Sequence, residues 1–135
     1  MGCLTYHIAC MPIIVTLEEI NYFRTDLSEY PDALIALDVL EDCEGDLDDA
    51  AIALAIQCGQ QPDTSDRWID GFAKRWRHII CQPELKEPFE NGLSGDVLAA
   101  LTTNTDLPIK LATPVAIYVI KIGATIFCKP LAEKL

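Results

Sequence analysis

Two histidines each stand three residues before a cysteine, and these pairs are the first place where the sequence could hold a metal ion. The pairs are His7–Cys10 and His78–Cys81, and Cys3 lies close to the first of them. Histidine and cysteine are ligands that tetrahedral zinc prefers, but the close cysteine pairs of structural zinc sites do not occur. We therefore predict no metal site and retain His78 and Cys81 only as candidate ligands for an alternative function.

The same two residues would be needed for a cysteine nucleophile, in which a neighbouring histidine lowers the pKa of the thiol. No glycine-rich turn or oxyanion loop accompanies Cys81, so we expect no such activity. The cysteines form no C-x-x-C pair and no close framework. We interpret them as small buried hydrophobic residues in a reducing compartment, and we predict a cytoplasmic location. They are Cys3, Cys10, Cys43, Cys58, Cys81 and Cys128.

The densest acidic segment, residues 38–50, is the other candidate for metal chemistry. Acidic residues alternate there in the manner of calcium ligands, beginning at Asp42. An EF-hand loop that began at Asp42 would need glycine at position 47 and glutamate at position 53. The chain has Leu47 and Ala53 instead, so the segment does not form that loop.

Pairs of acidic residues three apart, Glu41 with Glu44 and Asp46 with Asp49, leave magnesium chemistry as an alternative. They are similar to the acidic pairs that all-helical magnesium-dependent pyrophosphatases place on facing helices. A glycine between the two pairs breaks the helix, and Asp46 is placed to cap the next one, so both pairs are explained without a metal. A metal-dependent hydrolase or metal-binding regulator remains an alternative function, and we predict no cofactor.

Charge is distributed unequally along the chain, whose formal net charge is −11. Residues 1–66 contain 14 acidic residues and one basic residue, Arg24, whereas residues 67–135 contain seven acidic and nine basic residues. So acidic a protein repels phosphate backbones, which argues against direct nucleic-acid binding. Two interpretations of this segregation are open. The basic helix lies beside the acidic helices of the same chain and relieves their repulsion, or a charged face steers the docking of a complementary protein.

We predict a small acidic all-helical module for protein–protein interaction or regulation rather than an enzyme, because no catalytic set is assembled. The partner would dock on the acidic face over residues 38–49, or on the basic face of a helix over 66–81. The residues predicted to bind are Asp38, Glu41, Asp42, Asp48, Asp49, Arg67, Lys74 and Arg77. A structural homo-oligomer, in which the acidic face of one copy meets the basic helix of another, is the remaining alternative.

Helical periodicity dominates the chain, and capping residues mark the starts of the first elements. Thr16, with glutamate three residues later, forms the capping-box pattern for a helix over 16–25. Ser28 opens a second helix that has Pro31 in its first turn and ends near Cys43. A third helix follows, with an aspartate as its predicted N-cap and one apolar stripe.

Residues 66–81 are predicted to form one strongly amphipathic helix. Its tryptophans, Trp68 and Trp76, share the apolar face, so we expect them to pack in the core rather than stack on nucleic acid. Pro83 begins a short helix, and Ser94 caps another that ends near residue 104.

The last helix is predicted over about 114–129, with Thr113 as N-cap and Pro114 at its first position. It is apolar apart from a thin polar seam, in which Lys121 would pair with a carboxylate or extend to solvent. β-branched residues leave strands as an alternative in this stretch.

The predicted fold is therefore an all-α compact bundle of about six to seven helices, with the helix over 114–129 at its centre. Residues 1–12 are expected to be a loose tail, and residues 13–135 a single domain. No stretch reaches the roughly 20 apolar residues that a transmembrane helix needs, so we predict no membrane contact.

Overall fold

The computed structural model describes residues 13–59, 68–90, 92 and 94–133, and over these residues the chain is mostly helical with no β-strand. The predicted helical class is confirmed, whereas the strand alternative for the last stretch is wrong. The described residues form nine helices rather than six or seven, because two predicted helices are each divided. They are α1 (Leu17–Asp26), α2 (Pro31–Asp42), α3 (Leu47–Gln57), α4 (Trp68–Lys74), α5 (Arg77–Ile80), α6 (Pro83–Glu90), α7 (Gly95–Asn104), α8 (Ile109–Ile122) and α9 (Ala124–Glu133).

The first helix begins at the predicted capping box. The Glu19 N–H donates to Oγ1 of Thr16 at 3.1 Å, and the Thr16 N–H donates to Oε1 of Glu19 at 2.9 Å. Two backbone donors that the helix cannot satisfy internally are therefore bonded. The second helix begins at Pro31, later than predicted, because Ser28 lies in the preceding turn and Tyr30 is an N-cap without a side-chain bond.

The turn between α2 and α3 holds the start of the described chain against it. Glu44 and Gly45 both have positive φ, at 57° and 83°. Val15 donates its N–H to the Gly45 carbonyl at 2.8 Å, and Leu47 donates to the Ile13 carbonyl at 3.0 Å. A β-carbon at position 45 would overlap the Val15 carbonyl oxygen, so this close approach requires glycine.

The third helix begins and ends as the sequence predicts. The Asp49 N–H donates to Oδ1 of Asp46 at 3.1 Å, which is the expected N-cap. The helix ends at Gln57, and Gly59 follows with φ of 79°.

The predicted single helix over 66–81 is wrong, because a turn at Arg75 and Trp76 separates α4 from α5. The N–H groups of these two residues donate to carbonyls three residues back, at 3.2 and 3.0 Å, rather than four. No glycine or proline marks this position, so packing decides the break. The expected apolar face does reach the core, where Ile69, Phe72 and Ile80 are buried.

The last predicted helix is also wrong at both ends. The helix α8 begins at Ile109, and Thr113 and Pro114 lie inside it rather than at its start. The Thr113 hydroxyl donates to the Ile109 carbonyl at 2.8 Å. Leu111 and Ala112 are buried upstream of the proline, so packing extends the helix across it despite the missing N–H.

Gly123, with φ of 98°, ends α8 and separates it from α9. Consequently the predicted polar seam is not continuous. Tyr118 is buried, and its ring contacts that of Phe127 edge to face across the turn, with centroids 6.2 Å apart. Residues 111–119 of α8 are all buried, and the helix packs against α2, α3, α4, α6, α7 and α9.

A disulfide joins Cys81, which ends α5, to Cys128 in α9, with the Cα atoms 5.6 Å apart. The prediction that all six cysteines are unbonded hydrophobic residues is therefore wrong at these two positions. Their spacing of 47 residues gives no sequence signal, because the pair is brought together only by packing of α5 against α9. Cys43 and Cys58 are free and half-buried.

The expected tail of residues 1–12 lies outside the described residues, and the single-domain boundary stays a prediction. Over the described ranges, no helix combines the length and the apolar character needed to cross a membrane.

Candidate protein-interaction surface

Three exposed carboxylates lie on one side of α2, and we call Asp38, Glu41 and Asp42 the α2 acidic face. Their spacing of i, i+3 and i+4 places them together on the helix surface. All three are residues that the sequence predicts to bind a partner, and the structure leaves all three exposed to solvent.

Arg24 of α1 reaches this face from the neighbouring helix. Its Nη2 lies 2.8 Å from Oδ1 of Asp38 and 2.6 Å from Oε1 of Glu41. The hydrogen bond to Glu41 is the main reason that the pKa of Arg24 is raised above its ordinary value. The single basic residue among positions 13–59 thus already contacts two carboxylates, and the α2 acidic face keeps a net negative charge.

The predicted binding residues Asp48 and Asp49 do not belong to this surface. Asp48 is buried at 8% exposure, and its Oδ1 accepts a hydrogen bond of 2.7 Å from the N–H of Ile69 at the start of α4. Asp49 is half-buried, and its N–H is used in the cap of α3. We therefore leave Asp48 out of the docking surface, because its carboxylate joins α3 to α4.

Burial also alters the chemistry of two groups beside the α2 acidic face. Burial raises the pKa of Asp46, while the hydrogen bond from the Asp49 N–H opposes that rise. Burial, followed by the charges of Asp49, Asp46 and Asp42, raises the pKa of the Cys43 thiol. The raised pKa disfavours the thiolate, which is the form of cysteine that acts as a nucleophile.

The predicted basic face is not a continuous helix surface. Lys74 is exposed near the end of α4, whereas Arg77 is half-buried in α5, with its guanidinium 4.9 Å from the centre of the Phe127 ring. Arg75 lies over the rings of Phe72 and Trp76, at 5.5 and 5.9 Å. The third predicted residue, Arg67, lies outside the described residues.

The candidate metal ligands His78 and Cys81 do not form a site. The sulfur of Cys81 is bonded to Cys128, so it supplies neither a zinc ligand nor a nucleophile while the disulfide is intact. In the part of the chain that the structure describes, no group of three or more histidine, cysteine or acidic side chains is arranged to hold a metal ion. The pair His7–Cys10 lies outside that part.

An apolar groove crosses the end of the bundle where α1, Gly92, α8 and α9 meet, and we call it the Gly92 groove. Two depressions of about 480 and 350 Å³ form it, and they share Gly92 and Ile120. Its other lining residues are Glu18, Glu19, Tyr22, Phe23, Phe89, Gly123, Ala124, Thr125 and Ile126.

A third depression, of about 410 Å³, also reaches Gly92 and lies between α6 and α7. We call it the acidic cleft, because three of its lining residues are Glu84, Glu87 and Asp96. The Gly92 groove and the acidic cleft are therefore neighbouring parts of one surface.

The Lys121 ammonium lies beside the Gly92 groove and is bonded to Glu19, at 3.0 and 3.2 Å from the two carboxylate oxygens. The two expected alternatives for Lys121 occur together, because the residue is exposed to solvent and also pairs with a carboxylate. The backbone hydrogen bond in the capping box is the main cause of the lowered pKa of Glu19, and Lys121 adds to it. This ion pair joins α1 to the end of α8.

Sequence reasoning missed the Gly92 groove and the disulfide. Tyr22 and Ile126 are 65% and 64% exposed, but helical periodicity does not show that they border the same groove. These two residues are 104 positions apart in the sequence, and only the tertiary structure brings them together.

Comparison of the chain with protein-family models, with curated proteins and with solved structures gave no match.

Proposed function

We propose that the protein is a protein–protein interaction module that docks a basic partner through the α2 acidic face. The observation that carries the proposal is the excess of exposed carboxylates on α1, on α2 and in the turns that follow them. Residues 13–59 contain twelve acidic residues against Arg24, and eight of the twelve are exposed. The eight are Glu18, Asp26, Glu29, Asp32, Asp38, Glu41, Asp42 and Glu44.

Such a surface costs stability through repulsion, and it accelerates encounter with a positively charged partner. The exposed ion pairs of Arg24 recover little of that cost, since pairs of this kind stabilise a protein by about 0–1 kcal/mol. A basic partner that contacts Asp38, Glu41 and Asp42 together would relieve the repulsion. The basic face of α4–α5 carries less of the proposal, because Arg77 packs on Phe127.

The test compares two variants with equal loss of charge. The first, Asp38→Asn/Glu41→Gln/Asp42→Asn, neutralises the α2 acidic face. The matched control, Asp26→Asn/Glu29→Gln/Asp32→Asn, removes three other exposed carboxylates, from α1, from α2 and from the turn between them. Each chain is immobilised, exposed to lysate of the source organism and washed at low and high salt. Bound proteins are identified by mass spectrometry, and affinities are then measured with the purified partner.

We expect one near-stoichiometric basic partner that is released by salt and lost only from the first variant. Equal retention by both variants would contradict docking through the α2 acidic face. The alternative of a structural homo-oligomer is tested on the same preparation by light scattering. A molar mass above that of the single chain, with no captured partner, would favour it.

A further inference from the structure

The Gly92 groove has an apolar floor in an otherwise acidic part of the surface. Phe23, Phe89 and Ala124 are buried beneath it, and the half-buried Ile120 lies where its two depressions join. If an aliphatic or aromatic side chain bound here, both that side chain and the floor of the groove would lose contact with water. Such burial of apolar surface is the main favourable term in most protein association.

Large apolar side chains also stand exposed at the two ends of the groove. Tyr22 lies at the α1 end and Ile126 at the α9 end. Both are among the most exposed large hydrophobic residues of the described chain. An exposed apolar strip with polar borders is typical of an interaction site.

The borders of this strip are negatively charged. Glu18 and Glu19 line the groove at α1, and Glu84, Glu87 and Asp96 line the acidic cleft that adjoins it at Gly92. None of the described lining residues of the groove or the cleft is basic. Lys121 and Glu19 form an ion pair in which their two charges balance, so the excess negative charge of the borders comes from Glu18, Glu84, Glu87 and Asp96.

We propose that the Gly92 groove binds an amphipathic helix of the partner protein, with apolar side chains in the groove and lysines or arginines facing the carboxylates on its borders. The inference rests on the proposed function in one respect, that the partner is basic. It differs in place, because the Gly92 groove is lined by none of the residues of the α2 acidic face.

A helix is the form of partner that this geometry favours. The described residues contain no strand, so an extended peptide finds no sheet edge to join. A groove between helices instead accepts side chains that repeat at i, i+3 or i+4 and i+7 from one face of a bound helix. The flanking positions of such a helix would carry the basic residues.

The probe is a synthetic peptide of about five helical turns, with leucines on one face and lysines beside them. A second peptide has the same composition in an order that breaks the apolar face. Binding of each labelled peptide to the full chain is followed by fluorescence anisotropy. We expect the amphipathic peptide to bind more than about tenfold more tightly than the scrambled one.

The first pair of variants compares two isoleucines of nearly equal exposure. Ile126 in the groove is 64% exposed, and Ile56 at the far end of α3 is 62% exposed. Ile126→Asp is expected to weaken binding of the amphipathic peptide more than about tenfold, whereas Ile56→Asp changes it less than about twofold. Neither side chain is buried, so both variants are expected to fold, as circular dichroism would verify.

The second pair compares charges. Glu84→Gln/Glu87→Gln/Asp96→Asn is expected to weaken binding and to flatten its dependence on salt concentration. Neutralising the α2 acidic face with Asp38→Asn/Glu41→Gln/Asp42→Asn removes the same charge at another place, and is expected to have a smaller effect on this peptide.

The outcomes separate this inference from the proposed function. Loss of binding in the groove variants but not in their controls supports the inference. Sensitivity only to the α2 variant would overturn it and leave the proposed function intact. Equal affinity for both peptides, or none for either, would also overturn it, while the lysate comparison decides the proposed function independently. A dimer of the chain that Ile126→Asp abolishes would show that a second copy occupies the groove instead.

Discussion

Residues 13–59 and residues 68–133 are held in place by different interactions. In the first region, side chains of Thr16 and Asp46 cap two of the three helices. This region contains twelve acidic residues and only one basic residue. The second region has seven acidic and seven basic residues, and a disulfide ties its α5 to its α9. The first is therefore a set of locally specified helices with unbalanced charge, and the second is a balanced region that depends on contacts between distant residues.

Among the described residues, the polar contacts that connect the regions include two made by acidic side chains. Asp48 of α3 accepts a hydrogen bond from Ile69 of α4, and Glu19 of α1 pairs with Lys121 of α8. Both use a carboxylate of the acidic region. The comparison teaches that acidic residues there occupy two kinds of position: a few join helices, and most remain exposed on the surface.

The largest expected effect is removal of the disulfide. Cys81→Ala/Cys128→Ala opens a loop whose ends are 47 residues apart. By loop-closure entropy this lowers the free energy of unfolding by about 4 kcal/mol. Urea denaturation measures the change, and a reducing agent should produce a similar loss in the unmodified chain.

The control for the disulfide is Cys43→Ala/Cys58→Ala, which removes the two free thiols among the described residues. This variant should remain as sensitive to the reducing agent as the unmodified chain. If the reducing agent leaves the stability of both chains unchanged, the disulfide does not hold the second region together.

The next effect concerns the turn that specifies the first region. Gly45→Ala places a β-carbon against the Val15 carbonyl at positive φ. Gly59→Ala meets only the φ penalty, since no atom of the described residues lies within 4 Å of the added β-carbon. The conformational penalty is about 1–2 kcal/mol for each, and the overlap at Gly45 raises its total to about 3 kcal/mol. Thermal unfolding of the two variants measures the difference in stability. Equal losses of stability would show that the backbone at Val15 shifts to accommodate the β-carbon at no energetic cost.

A smaller loss is expected where the regions meet. Asp48→Ala leaves the buried Ile69 N–H without the carboxylate that accepts its hydrogen bond, at a cost of about 2 kcal/mol. Asp42→Ala removes an exposed carboxylate of the same acidic segment and should change stability by less than about 0.5 kcal/mol. Hydrogen exchange at Ile69 should rise in the first variant only. Unchanged exchange would mean that α4 is held against α3 without this bond.

The smallest effect is the pH dependence of the other contact between the regions. The folded-state pKa of Glu19 is lowered, so its contribution to stability is present above the unfolded-state pKa and is lost as pH falls through the folded-state pKa. Because Glu19 is partly exposed, the contribution at neutral pH is below about 1 kcal/mol.

Unfolding of the unmodified chain and of Glu19→Gln, measured from about pH 2 to pH 7, should give curves that converge at the acidic end. Asp46 acts in the opposite direction, since its raised pKa makes its ionisation unfavourable to folding as pH rises. Its effect is common to both chains and cancels in the difference. A constant difference at every pH would show that the charge of Glu19 does not stabilise the α1–α8 contact.

The sequence predicts the surface in part, and the errors have identifiable causes. Asp38, Glu41 and Asp42 are exposed as expected, because they stand on the polar side of an otherwise apolar helix. Asp48 has the same chemistry and lies in the same acidic run, but packing of α4 against α3 buries it. The cysteine argument for a reducing compartment no longer applies to Cys81 and Cys128, and the cytoplasmic location stays a prediction.

The sequence by itself determines the helical class, the capping box at Thr16, the N-cap at Asp46 and the end of α3 near Gly59. Each depends on residues within one or two turns of each other, so side-chain type and spacing are sufficient. Tertiary structure alone decides the break at Arg75, the passage of α8 across Pro114, the disulfide and the Gly92 groove. These depend on which buried surfaces meet, and burial of Leu111 or Ile80 outweighs the local signals that sequence spacing provides.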